Sequence, residues 1–189
     1  MELILASNSP RRKELLQNKG IKFKVIASNY NEIQFTNDPI QTAIDFAKGK
    51  AEDVFRTLLN KDGVVVLGAD TVVFHQGEIL GKTKTDEQAV KMLKSLSGKT
   101  HTVITGYALI AKDKQITGYA KAQVQFNKLS KKVIDNYIKS GLYKGKAGSY
   151  GIQDGFPLVA SYNGDYNTIV GLPVDEIILL LKEFNYENE

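Results

Sequence analysis

The chain has 189 residues, 42% hydrophobic and 24% charged, with a formal charge of +4 and no cysteine. This composition supports one domain with a real core and excludes disulfides, thiol catalysis and cysteine-held zinc. No apolar run approaches the roughly 20 residues of a membrane span; no leader is expected, and the dispersed lysines argue against a stable nucleic-acid complex.

The pattern alternates strands and helices, which predicts an α/β fold. Leu3–Ala6 reads as a short strand and Pro10–Lys19 as a helix, with Ser9 as its N-cap, Pro10 at the first helical position and Gly20 as its stop. Lys22–Ile26 alternates as a strand, and the polar stretch Ser28–Asp38 is a loop carrying Glu32. Asp38-Pro39 opens a second helix with Ala43, Ile44, Ala47, Ala51 and Val54 at helical spacing. Val64–Phe74 is a β-rich run that turns at Gln76-Gly77 and returns through Ile79-Leu80. Thr85 and Gln88 form a capping-box pattern before a third helix that Gly98 ends. His101–Ala111 and Gln115–Phe126 are strands, and Ser130 caps a fourth helix stopped by Gly141. A glycine-rich loop follows from Gly141 to Gly155, then short strands at Phe156–Ser161 and Thr168–Val170. The last helix begins at Pro173 and runs to about Phe184, leaving a frayed end over 185–189.

Three segments carry chemistry. Arg11 and Arg12 are two of only three arginines among 25 basic residues, and they stand in the first turn of a helix, where cations are disfavoured. Two guanidinium forks above free backbone N–H groups suit a phosphate. Asp70 interrupts the apolar run Val64–Phe74, and a buried carboxylate needs a partner, a proton or a metal. Gly68 and Ala69 remove bulk before it, so a ligand could approach the backbone there; Thr71 falls on the opposite face. The loop Gly145–Gln153 offers backbone amides to a ligand. Gly77–Thr83 imitates a P-loop but has three residues between its glycines instead of four, and no Gly-x-Gly-x-x-Gly is present. His75 and His101 lack metal-pair spacing, so any metal must be held by carboxylates, which suits Mg²⁺ or Mn²⁺.

Taken together, Leu5–Leu16, Gly68–Val73, Leu96–Gly106, Lys146–Gln153 and Asn167–Pro173 resemble, in order and spacing, the motifs of the Maf family of nucleotide pyrophosphatases. The resemblance covers essentially the whole chain. It implies an elongated mixed sheet flanked by helices, with two lobes around one cleft in a single domain over 1–189, similar to inosine-triphosphate pyrophosphatases. It implies cleavage of a nucleoside triphosphate between the α and β phosphates, and Ala69-Asp70-Thr71 with Ile152-Gln153 matches the branch acting on dTTP and UTP. Carried over by position, Asp70 is the proton acceptor, Arg12, Thr71 and Gln153 set base preference, and Ser9, Glu32, Lys50 and Lys82 line the cleft. Glu32 and Asp70 would hold the divalent ion, and a cytoplasmic homodimer is the expected form. The chain departs from the family at Asn31, at Thr83, over Gly118–Gln123, and at Gly141–Gly145, which replaces the acidic residues usual before Lys146. The departures at Asn31 and Gly141–Gly145 keep a second reading open: a non-catalytic nucleotide or nucleic-acid binding protein linked to cell division.

Overall fold

The computed structural model describes residues 1–34 and 36–187. Its first half comprises β1 (Glu2–Leu5), α1 (Pro10–Asn18), β2 (Lys24–Val25), α2 (Pro39–Thr57), β3 (Val64–His75), β4 (Glu78–Leu80) and α3 (Asp86–Leu96). The second half comprises β5 (Thr100–Ile110), β6 (Gln115–Phe126), α4 (Lys131–Ser140), β7 (Val159–Asn163), α5 (Tyr166–Val170) and α6 (Val174–Lys182). The strands form one mixed sheet in the order β2-β1-β3-β5-β6-β7, with β4 paired to β3. β1 runs parallel to β2 and β3, and the remaining pairs are antiparallel. The α/β class is what the chain's alternation predicts, and a mixed sheet flanked by helices is what the family resemblance implies.

The long helix α2 lies across β3 and β5 at backbone distance. Its inward positions Ala43, Ala47 and Ala51 are completely buried. A side-chain carbon on Gly68 would overlap the Ala47 carbonyl oxygen, and one on Gly106 would overlap the Ala43 backbone. The small residues before Asp70 therefore admit a helix, not a ligand. That packing carries Lys50 over the sheet to Asp70. On the face of the central strands opposite α2 lie two large core clusters, toward the two ends of β3. One gathers Leu5, Leu16, Leu67, Leu109, Ile177 and Leu181. The other gathers Leu93, Leu96, Phe126, Ile134 and Tyr137.

Most predicted elements are present, and the differences have local causes. Thr168–Val170 is helical because Asp165 caps α5, accepting from the N–H groups of Asn167 (3.1 Å) and Thr168 (2.7 Å). The cap outweighs the β-branched run, since those residues pack equally well from one helical turn. The strand expected at Phe156–Ser161 begins only at Val159, and Lys22–Ile26 pairs only at Lys24 and Val25. Ser9 occupies the N-cap of α1 but makes no side-chain cap; the Ser7 hydroxyl instead accepts from Ser9 N–H at 3.1 Å. Thr85 and Gln88 form both halves of the capping box. Of the end expected to fray, Tyr186 is tied down, its hydroxyl donating to the Lys22 carbonyl at 2.7 Å; residues 188 and 189 lie outside the described set.

Candidate active site

A cavity of about 420 Å³ opens between the two core clusters. Its walls come from the β1–α1 turn, the middle of β3, one face of α2, the β4–α3 connection and the glycine-rich loop. This volume suits a small-molecule ligand. Ser9, Arg12, Lys50, Asp70, Thr71, Lys82 and Gln153 all line it. Glu32 is not in the wall itself; it stands behind Lys50 and Lys82, bound to both.

Asp70 is 5% exposed and is paired through Oδ1 with Lys50 Nζ. The same Nζ lies 2.7 Å from Glu32 Oε1, and Lys82 Nζ lies 3.6 Å from that oxygen. One ammonium thus bridges two carboxylates drawn from a loop and from a central strand. Burial pushes the Glu32 carboxyl upward, but the hydrogen bond and charge of Lys50, with Lys82 behind them, outweigh it and hold it below its usual range. Both carboxylates offer oxygen only and meet at Lys50 from separate elements, Asp70 in the cavity wall and Glu32 behind it; oxygen is the donor type that magnesium shares with substrate phosphates. The position of Lys50 between them marks where positive charge is wanted. Among the described residues no group of three or more histidine and acidic side chains could hold a metal unaided, so phosphate or water oxygens would complete any such site.

The arginines divide their work. Arg12 is 9% exposed and donates from Nε to the Gly171 carbonyl (2.8 Å), from Nη1 to Ser7 Oγ (3.4 Å) and from Nη2 to Thr71 Oγ1 (3.2 Å). Burial disfavours its charge, and Asp70 partly restores it. Arg11 makes one such bond, from Nε to the Val170 carbonyl at 3.3 Å, and leaves the rest of its fork toward the cavity. Both heads therefore reach the C-terminal carbonyls of α5, the favourable end for a cation. This compensates their unfavourable place in the first turn of α1.

Thr71 and Asp70 point to opposite faces of β3, as strand alternation requires, yet both reach the cavity because its walls wrap around this strand. The threonine hydroxyls form a directed chain. Thr105 donates to the Thr168 carbonyl at 2.8 Å, so in its 2.8 Å contact with Thr71 it is the acceptor. Thr71 therefore donates to Thr105 and accepts from Arg12. Its hydroxyl hydrogen is committed to the protein.

The glycine-rich loop is docked rather than slack. Gly148 N–H donates to the Gly81 carbonyl (3.2 Å), the Ser149 and Thr83 hydroxyls meet at 2.7 Å, and Ala147 bridges to Lys82. Lys146 is paired with Asp154, both of whose oxygens accept from Lys146 Nζ at 2.5 Å. Sequence reasoning passed over Ser7, Lys146, Tyr150 and Asp154. Ser7 was legible in the same turn as Ser9; the others depend on loop docking that no spacing reveals. His75 and His101 lie outside the cavity wall, buried, with His101 Nε2 2.7 Å from the Tyr150 hydroxyl.

Comparison with known proteins gives a single answer. A family model described as "Maf-like protein" matches residues 2–184. The chain is 44% identical to a dTTP/UTP pyrophosphatase of Bacillus thuringiensis and 45% identical to one of Bacillus cereus. Both matches cover 98% of this chain and 97% of the relative. Among solved structures, a dITP/XTP pyrophosphatase from Mycobacterium abscessus aligns over 96% of this chain and 95% of its own, at 11% identity and a TM-score of 0.44.

Proposed function

The chain belongs to the Maf-like proteins, and on that premise we propose that it is a nucleoside triphosphate pyrophosphatase hydrolysing dTTP and UTP to the monophosphate and pyrophosphate. The observation that carries this reading is the Asp70–Lys50–Glu32 arrangement: a nearly buried carboxylate held ready in a cavity otherwise rimmed by cations. A triphosphate brings several negative charges, and Arg11, Lys50, Lys82 and Lys144 present positive charge to this space. Phosphoryl transfer depends mainly on positioning and charge neutralisation, so such a rim is the larger part of the catalyst.

Asp70 is the group to accept the proton of the attacking water. Water oxygen adds to the α-phosphorus, the bond to the bridging oxygen breaks, and pyrophosphate leaves with the electron pair. Lys82 and Arg11 stabilise the departing charge, and Lys50 holds Asp70 in place. Glu32 and Asp70 would hold a Mg²⁺ or Mn²⁺ ion together with phosphate oxygens. When bound, such an ion polarises the α-phosphate and acidifies water. Arg12 fastens Ser7, Thr71 and Gly171 around the ligand, and Ser9 presents its uncapped hydroxyl to the same space. Thr71 and Gln153 are the groups proposed to read the base. The two core clusters flanking the cavity support reading 1–189 as one domain with two lobes. Incubation with dTTP, UTP and purine triphosphates plus Mg²⁺, with separate detection of pyrophosphate and orthophosphate, tests the assignment.

A further inference from the structure

We infer that the buried Lys146–Asp154 ion pair, anchored on Tyr137, fixes the position of Gln153 and so sets the base selectivity of the cavity; this rests on the nucleotide reading above. Gln153 is exposed, and among the described residues its side-chain amide makes no hydrogen bond. A free amide offers a donor and an acceptor side by side, the complement of the N3–H and C4 carbonyl edge of uracil or thymine. Such an amide selects only if it is held still.

The residues around it supply the hold. Asp154, next in the chain, has a side chain 6% exposed, and both its oxygens accept from Lys146 Nζ, whose side chain is 10% exposed. Tyr137 donates its hydroxyl to Asp154 Oδ2 at 2.6 Å and accepts from Gly151 N–H at 3.1 Å. The residues on the two sides of the Ile152-Gln153 pair are thus tied to one phenol oxygen. Tyr137 is completely buried in α4 and meets Phe156 edge to face at 5.0 Å. The anchor is therefore part of the core. Gly151 completes the fit, because a side-chain carbon there would stand 2.6 Å from Asp154 Oδ1 and expel the carboxylate.

Asp154, Lys146 and Tyr137 act on the base through Gln153, so Asp154 and Tyr137 are positioning residues. The experiment measures binding of non-hydrolysable α,β-methylene analogues of dUTP and dCTP, whose base edges carry the donor and acceptor in reversed order, and of inorganic pyrophosphate, by calorimetry. Tyr137→Phe removes one hydroxyl without changing charge; Asp154→Asn removes the anion while keeping the shape. The wild type is expected to prefer the dUTP analogue, and each variant to lose tenfold or more of that preference. Pyrophosphate affinity should hold in Tyr137→Phe, and hold or rise in Asp154→Asn because Arg11 loses a neighbouring anion. Asp154→Glu should recover part of the preference. A preference unchanged in Tyr137→Phe overturns the inference, as does a loss matched by an equal loss of pyrophosphate affinity, or a wild type with no preference. Should Asp154→Asn fail to fold, Tyr137→Phe alone decides. A wild type that discriminates the analogues but releases no pyrophosphate removes the catalytic reading and leaves this one standing.

Discussion

Gly68 of β3 lies directly beneath the carbonyl of Ala47 in α2, so close that no side chain fits between them. This contact sets the height of α2 above the sheet, and hence the reach of Lys50 to Asp70. Gly68→Ala must push backbone against backbone. It should destabilise the fold by about 1–3 kcal/mol, the usual cost of overpacking, and lower turnover more than affinity for pyrophosphate. Chemical denaturation and steady-state kinetics measure both. Unchanged stability with full turnover would show that the helix height is not set here.

Arg12 and Arg11 should separate cleanly. Arg12→Ala strips partners from Ser7, Thr71 and the Gly171 carbonyl, and should cost about 2 kcal/mol or more of stability together with activity and base preference. Arg11→Ala should leave stability near that of the wild type and raise the KM for triphosphate about tenfold, the loss of one charge-assisted contact. Arg12→Lys should not rescue, because an ammonium cannot span three acceptors in a fork. Identical effects of the two alanine variants on stability and KM would contradict this division.

His101 predicts a pH dependence of stability unrelated to catalysis. Burial, with the nearby His75, pushes its imidazole from 6.5 down to about 4. Between these values the unfolded chain binds a proton that the folded chain refuses. Stability is therefore complete above about pH 6.5 and falls as the pH drops toward 4, by on the order of 3 kcal/mol. His101→Gln should flatten that slope by nearly one proton. Urea midpoints at pH 7 and 4.5 for both proteins give the result; parallel slopes would show that His101 is not the group responsible.

Periodicity and caps made most of this fold legible. The capping box at Thr85, the turn at Gln76-Gly77 and the left-handed stop at Gly141 are local devices, and local devices are written in neighbouring residues. Thr168–Val170 misleads because three residues cannot show a period, and the Asp165 cap decides the outcome from outside the run. Gly68 was legible as a close approach, but what approaches is a helix some 20 residues earlier in the chain, a fact of tertiary packing. The same holds at the site. Asp70 and the arginine pair announce themselves by being costly where they stand. Asp154 does not, because a carboxylate in a polar glycine-rich loop looks solvated until Lys146 and Tyr137 are seen closing over it.

Asp70 stands in this cavity as the proton acceptor for pyrophosphate release from a pyrimidine nucleoside triphosphate. The decisive experiment assays Asp70→Asn beside the wild type with dTTP or UTP and Mg²⁺, following pyrophosphate. The wild type should yield pyrophosphate and monophosphate in equal amounts. The variant, folded as judged by an intact thermal transition, should lose at least a hundredfold in kcat, the range a general base supplies. Near-normal pyrophosphate release from the folded variant would remove Asp70 from that role, and orthophosphate as the wild-type product would exclude cleavage between the α and β phosphates.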